Sequence, residues 1–99
     1  MEITILQDNG AVVLNIAGRL DTVTAPELEN AVKPHIANGV TIVFNCENLQ
    51  YVSSAGLRVV LATYKQVVAV KGHFMLKNLN PEVKSVFDLT GFSRVLDIQ

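Results

Sequence analysis

The segment that most constrains the fold is Val40-Thr41-Ile42-Val43-Phe44. It is a short β-branched run, preceded by Gly39 and followed by polar residues. Such a run suits a central buried strand. On either side of it lie segments with a different rhythm. Upstream, Ala25, Leu28, Ala31, Val32, His35 and Ile36 recur at the i, i+3, i+4 spacing of a helix with one buried stripe. Downstream, Leu57, Val60, Leu61, Tyr64 and Val68 do the same. A buried strand between two amphipathic helices calls for an α/β domain.

The remaining elements extend that pattern. Ile3 to Gln7 and Ala11 to Ala17 read as two strands. Asp8-Asn9-Gly10 between them suits a tight reversal, so the pair is a hairpin. Thr24 with Glu27 three residues later fits a capping box, with Pro26 in the first turn and Gly39 as the stop. Asn45 to Tyr51 is polar and reads as a loop; the second helix starts near Ser53 or Ser54 and closes at Gly72. Phe74-Met75-Leu76 is a strand. Asn80-Pro81-Glu82 caps a third helix, whose inner face is Val83, Val86 and Phe87. Gly91 ends it, Phe92 staples that end, and Val95 to Ile98 forms an edge strand. The order β-β-α-β-α-β-α-β implies a mostly parallel sheet of four to five strands, with right-handed crossovers, in one domain over residues 1–99. The pattern is compatible with helices on one face of the sheet or on both.

Composition narrows the partners. The chain is 49% hydrophobic and 17% charged, with a net charge of -1. Its five Lys and three Arg are scattered, without the basic stripe expected of a nucleic-acid binder. No apolar run is long enough to span a membrane, and Met1-Glu2-Ile3-Thr4 lacks the start of a signal peptide, so the expected compartment is the cytoplasm. One cysteine, Cys46, excludes an intrachain disulfide and a multi-cysteine zinc site. The absence of a Gly-rich phosphate loop leaves no cofactor expected.

In a parallel sheet the loops running from strand into helix lie at the carboxyl end, where ligands and partners gather. Here these are Gly18 to Thr24, Asn45 to Ser54, and Lys77 to Asn80. The second holds Tyr51-Val52-Ser53-Ser54-Ala55-Gly56-Leu57. A serine at this point caps a helix by satisfying an orphan N–H. It is also a place where a phosphate would be tolerated, since a helix N-terminus favours an anion. One serine can do both. Asp21 reads either as a turn former or as part of the surface beside these serines. A hydrolase triad of Ser54, His73 and an aspartate fails on geometry, because His73 follows the helix that Ser54 starts and falls at the opposite end of the sheet.

Three stretches together, Gly18-Arg19-Leu20-Asp21, Ala25-Pro26-Glu27-Leu28 and Tyr51 to Leu57, resemble a STAS domain, and in particular a stand-alone anti-sigma-factor antagonist of bacteria. Tyr64-Lys65-Gln66 and Val86-Phe87-Asp88-Leu89-Thr90-Gly91 add to the likeness. The resemblance implies a protein without catalytic activity that binds an anti-sigma factor of serine-kinase type and so frees a sigma factor. The kinase would phosphorylate a serine to break that binding, and a PPM-type phosphatase would restore it. The family's Asp-Ser-Ser-Gly pattern places the acceptor at Ser54, with Ser53 standing where the aspartate would be and acting as a rival acceptor. The implied partner surface holds Asp21, Thr22, Ser53, Ser54, Ala55, Gly56 and Arg58, on a chain that is monomeric when free. The alternative within the same resemblance is a STAS subunit of a transporter-associated or other assembly, with no phosphorylation switch.

Overall fold

The computed structural model describes residues 1–99. Five strands and three α-helices alternate as β1 (Glu2–Asp8), β2 (Ala11–Leu20), α1 (Ala25–Val32), β3 (Thr41–Val52), α2 (Ser54–Ala69), β4 (His73–Lys77), α3 (Pro81–Leu89) and β5 (Asp97–Ile98). The spatial order is β1-β2-β3-β4-β5. β1 pairs antiparallel with β2, and every other pairing is parallel. The expected order and sheet type therefore hold. Because β2 through β5 follow one another in the same direction across the sheet, right-handed crossovers place all three helices on a single face. The core lies there: Leu14, Ile42, Phe44 and Leu76 from the strands meet Leu28, Val60, Val67 and Phe87 from the helices. Phe44 and Phe74 pack edge to face, ring centroids 4.8 Å apart. Such a pair adds about 0.5–1.5 kcal/mol beyond the area it buries.

Several local expectations are corrected. The polar stretch Asn45 to Tyr51 is strand, not loop; β3 continues to Val52. Against β2, its register slips by one residue between Asn45 and Asn48 and again between Leu49 and Tyr51. Each slip inserts an extra residue into β3, so the inward positions are Cys46, Leu49 and Val52, three apart. Strict alternation is lost, and the segment no longer reads as a strand. β2 likewise runs on through Gly18 to Leu20.

The Thr24–Glu27 capping box does not form. Thr24 Oγ1 instead donates to the Arg19 carbonyl at 2.7 Å and accepts the Asp21 N–H at 2.9 Å. α1 stops at Val32, and Lys33–His35 tightens into a 3-10 turn. Pro34 has no N–H to continue the α ladder. In α2 the inner positions include Thr63 and Val67, while Val68 is 51% exposed. The last strand is shorter than expected, because Phe92–Arg94 forms a second 3-10 turn.

Gly72 does end α2, though not through a left-handed conformation of its own. Lys71 takes that position at φ 62°. The Lys71 N–H bonds the Val68 carbonyl at 2.9 Å and the Gly72 N–H bonds that of Val67 at 2.8 Å. This is the paired closure that satisfies orphan carbonyls at a helix end. Gly72 is needed for space, because a Cβ there would lie 2.3 Å from the Val40 carbonyl oxygen.

Candidate functional site

The site is built on the carboxyl end of the sheet, where the strand-to-helix junctions meet. The junction after β3 is a single residue, Ser53. Its backbone is extended, at φ -91° and ψ 175°, and its Oγ accepts the Gly56 N–H at 3.3 Å. Ser53 is thus the N-cap of α2. Ser54 is the first helical residue; its side chain is exposed and makes no hydrogen bond within the chain. The cap belongs to Ser53, and the Ser54 hydroxyl is left uncommitted by the fold. No acidic residue stands in the first turn of α2, so the positive end of this helix carries no compensating side chain.

Gly56 sets how closely this helix start approaches its neighbour. A Cβ at Gly56 would fall 2.7 Å from Leu20 Cγ and 2.8 Å from the Leu20 carbonyl oxygen. That carbonyl accepts the Ser53 N–H at 2.9 Å. The end of β2 and the start of α2 are therefore locked together, and the Asp21–Thr24 loop sits beside Ser53.

Asp21 shapes that loop. Its Oδ1 accepts the N–H of Val23 at 3.0 Å and the N–H of Thr24 at 3.1 Å, and lies 3.2 Å from the Thr24 hydroxyl oxygen. These bonds, above all that from the Thr24 N–H, hold its carboxyl below its ordinary value of 3.8. Its other oxygen lies 3.9 Å from Arg19 Nε. The turn-forming reading of Asp21 is realised, and the loop it forms exposes Thr22 and Val23. The third junction is tied in by Asn80, which caps α3 through the Val83 N–H at 2.8 Å and donates from Nδ2 to the Leu49 carbonyl at 3.1 Å.

Of the residues singled out in the sequence, Thr22, Ser54 and Arg58 are exposed, Asp21, Ser53 and Ala55 are half-buried, and Gly56 is buried. Ser54 and Arg58 share an open cleft of about 290 Å³ with Leu57, Leu61, Thr90 and Phe92. Phe92 packs on the core as a staple and also forms the far wall of this cleft.

Sequence reasoning missed three features here. Arg19 lies over the Tyr51 ring, 4.1 Å from its centroid. Val23 and Leu89 are 80% and 85% exposed, so two large apolar side chains stand bare on the loop after β2 and at the end of α3. Leu89 was legible as an apolar residue off the Val83–Val86–Phe87 stripe. The Arg19–Tyr51 contact depends on the second register slip and had no local signal.

The histidines lie elsewhere. His73 opens β4 in register with Thr41, the first residue of β3, whereas Ser54 follows the last. The 16 residues of α2 put about 24 Å between the two ends. His73 Nε2 instead meets Asp97 Oδ2 at 2.9 Å, which ties β4 to β5. No Ser–His pair exists to activate a nucleophile. No group of His, Cys, Asp or Glu side chains is arranged to hold a metal ion, and no helix is long and apolar enough to cross a membrane.

The sequence profile of the STAS domain matches residues 2–99. The chain belongs to the STAS domain family. Among its relatives is the anti-sigma-B factor antagonist of Bacillus subtilis, 30% identical over 98 residues that cover 99% of this chain and 90% of that protein. The anti-sigma factor antagonist SpoIIAA in its unphosphorylated form superposes with a TM-score of 0.82 at 26% identity, covering 99% of this chain and 88% of SpoIIAA. The Bacillus cell fate determinant SpoIIAA in the phosphorylated form superposes with a TM-score of 0.74 at 25% identity, covering 99% and 91%. This STAS domain therefore has relatives named as anti-sigma factor antagonists, one of them seen both with and without phosphate.

Proposed function

We propose that this STAS domain is an anti-sigma-factor antagonist, a cytoplasmic binding module without catalysis of its own, which acts as a monomer and is switched at Ser54. Its docking surface comprises the Asp21–Thr22 loop, Ser53, Ser54, Ala55 and Arg58, with Gly56 beneath them setting the close fit of α2 on Leu20. The partner is an anti-sigma factor of serine-kinase type. Docking sequesters that factor and frees a sigma factor. The kinase transfers the γ-phosphoryl group of ATP to Ser54 Oγ, releasing ADP and the hydroxyl proton. A PPM-type phosphatase removes the phosphate with water.

One observation carries this reading: Ser54 presents a free hydroxyl at the surface while Ser53 supplies the cap. Modification of Ser54 leaves the cap bond intact. The added charge of about -1.5 to -2 sits at the favourable end of the helix and does not melt it. On a chain with a net charge of -1 it at least doubles the negative charge, and it does so in the middle of the docking surface.

The test is titration of the cognate anti-sigma factor with wild type, Ser54→Ala and Ser54→Asp. The aspartate variant should bind at least about tenfold more weakly, equivalent to about 1.4 kcal/mol. It should keep the far-UV circular dichroism of wild type. Equal affinity of Ser54→Asp and wild type would overturn the switch. Co-purification with a membrane transporter in place of a soluble kinase-type protein would overturn the choice of partner.

A further inference from the structure

Arg58 is the cation best placed to meet a charge at Ser54. It stands four residues further along α2, one turn above Ser54 on the same side, and both line the cleft closed by Thr90 and Phe92. Arg58 is exposed and takes part in no ion pair or hydrogen bond in the unmodified chain. The three ion pairs of the molecule are Arg19–Asp21, His73–Asp97 and Lys84–Asp88. Of the acidic groups on the elements flanking the helix start, Asp21 and Asp88 are already engaged, while Glu27 and Glu82, in the first turns of α1 and α3, form no ion pair and lie outside the cleft. Asp21 is held by the Val23 and Thr24 N–H groups and by Arg19, and Asp88 by Ser93 and Lys84. With Ser53 where the family pattern has an aspartate, no carboxylate in the first turn competes for the guanidinium.

Building on the Ser54 switch proposed above, we infer that Arg58 is an intramolecular clamp for phosphorylated Ser54, so that phosphorylation also withdraws this cation from the docking surface. An anion placed four residues before a cation is the favourable order on a helix. Guanidinium and phosphate form short, paired, charge-assisted hydrogen bonds. The cleft leaves room for the arginine to turn back towards Ser54: Leu57, Leu61 and Phe92 are apolar, and the Thr90 hydroxyl is turned to the Val86 and Phe87 carbonyls. The switch then changes two features of the surface at once. A negative group appears at Ser54, and a positive group disappears at Arg58.

The experiment uses full-length chain carrying genetically encoded phosphoserine at position 54, and therefore needs no kinase. The second ionisation of the phosphate is followed by phosphorus NMR in wild type, Arg58→Gln and Arg58→Lys. The clamp predicts a pKa lower in wild type than in Arg58→Gln by about 0.3 or more, with Arg58→Lys in between. It also predicts that the Arg58 Nε–H resonance moves when wild type carries the phosphate. Equal phosphate pKa values in wild type and Arg58→Gln, or an unmoved Arg58 resonance, would overturn it. Should no kinase label Ser54 while the encoded phosphate shows the pKa difference, the clamp stands and the proposed switch falls.

Discussion

Ser53 and Ser54 are adjacent, yet only one of their hydroxyls is committed to the fold. Ser53 Oγ accepts the Gly56 N–H at 3.3 Å, whereas Ser54 Oγ points to solvent without a partner. Loss of a serine N-cap costs about 1 kcal/mol, while an exposed position away from such bonds stays within about 0.5 kcal/mol of wild type. Urea unfolding should therefore show Ser53→Ala destabilised by about 1 kcal/mol and Ser54→Ala close to neutral. The reverse order would contradict the division of roles.

Gly56 presents two opposing effects. Replacing a helical glycine by alanine ordinarily stabilises by about 1 kcal/mol. Here the new Cβ would meet Leu20 Cγ at 2.7 Å and the Leu20 carbonyl oxygen at 2.8 Å. The carbonyl belongs to the backbone and is held by the Ser53 N–H, so it cannot move aside cheaply. Overpacking of this kind costs about 1–3 kcal/mol and outweighs the propensity gain. A melting temperature for Gly56→Ala lower than wild type by about 4 °C or more is expected. An unchanged or higher value would show that α2 does not rest on Leu20.

Asp21 should make the loop before α1 sensitive to acid. Its pKa is lowered on folding by the Thr24 and Val23 N–H bonds. A carboxylate of this kind contributes order that is fully present above its unfolded value and is lost as pH falls through the folded value. The Val23 and Thr24 amide resonances, followed from about pH 6 to about pH 2, should shift together with a midpoint below 3.8. In Asp21→Asn that titration should vanish. A midpoint at or above 3.8 would mean that these hydrogen bonds do not hold the loop in solution.

Cys46 is 2% exposed on the inner face of β3, and burial pushes its thiol up to about 12. Near neutral pH the thiol therefore stays protonated, and the thiolate is the reactive form. A thiol reagent should leave the native chain unmodified and react promptly in denaturing urea. Rapid reaction of the folded chain would contradict the inward placement of Cys46 beside Ile42 and Phe44 on the core face of β3.

Where local chemistry and tertiary structure agree, the fold was legible in the sequence. The β-branched run Val40 to Phe44 is the centre of the sheet, and Asn80-Pro81 caps and opens α3 as the residues suggest. Where a long-range partner overrides a local preference, it was not. Thr24 has the residue type for a capping box, but its hydroxyl is taken by the Arg19 carbonyl. Asn45 to Tyr51 has the composition of a loop, but it pairs with β2 through two slips that break the alternation. The site divides in the same way. The start of α2 at the two serines follows from local signals. The Arg19–Tyr51 stack and the cleft between Arg58 and Phe92 depend on elements that meet only in the folded chain.

The most direct test of the proposed switch is residue-resolved mass spectrometry of the chain after incubation with the proposed serine-kinase anti-sigma factor and ATP. The account predicts one phosphate, on Ser54, retained in Ser53→Ala and absent in Ser54→Ala. Phosphate on Ser53, or none on the wild-type chain, would contradict it.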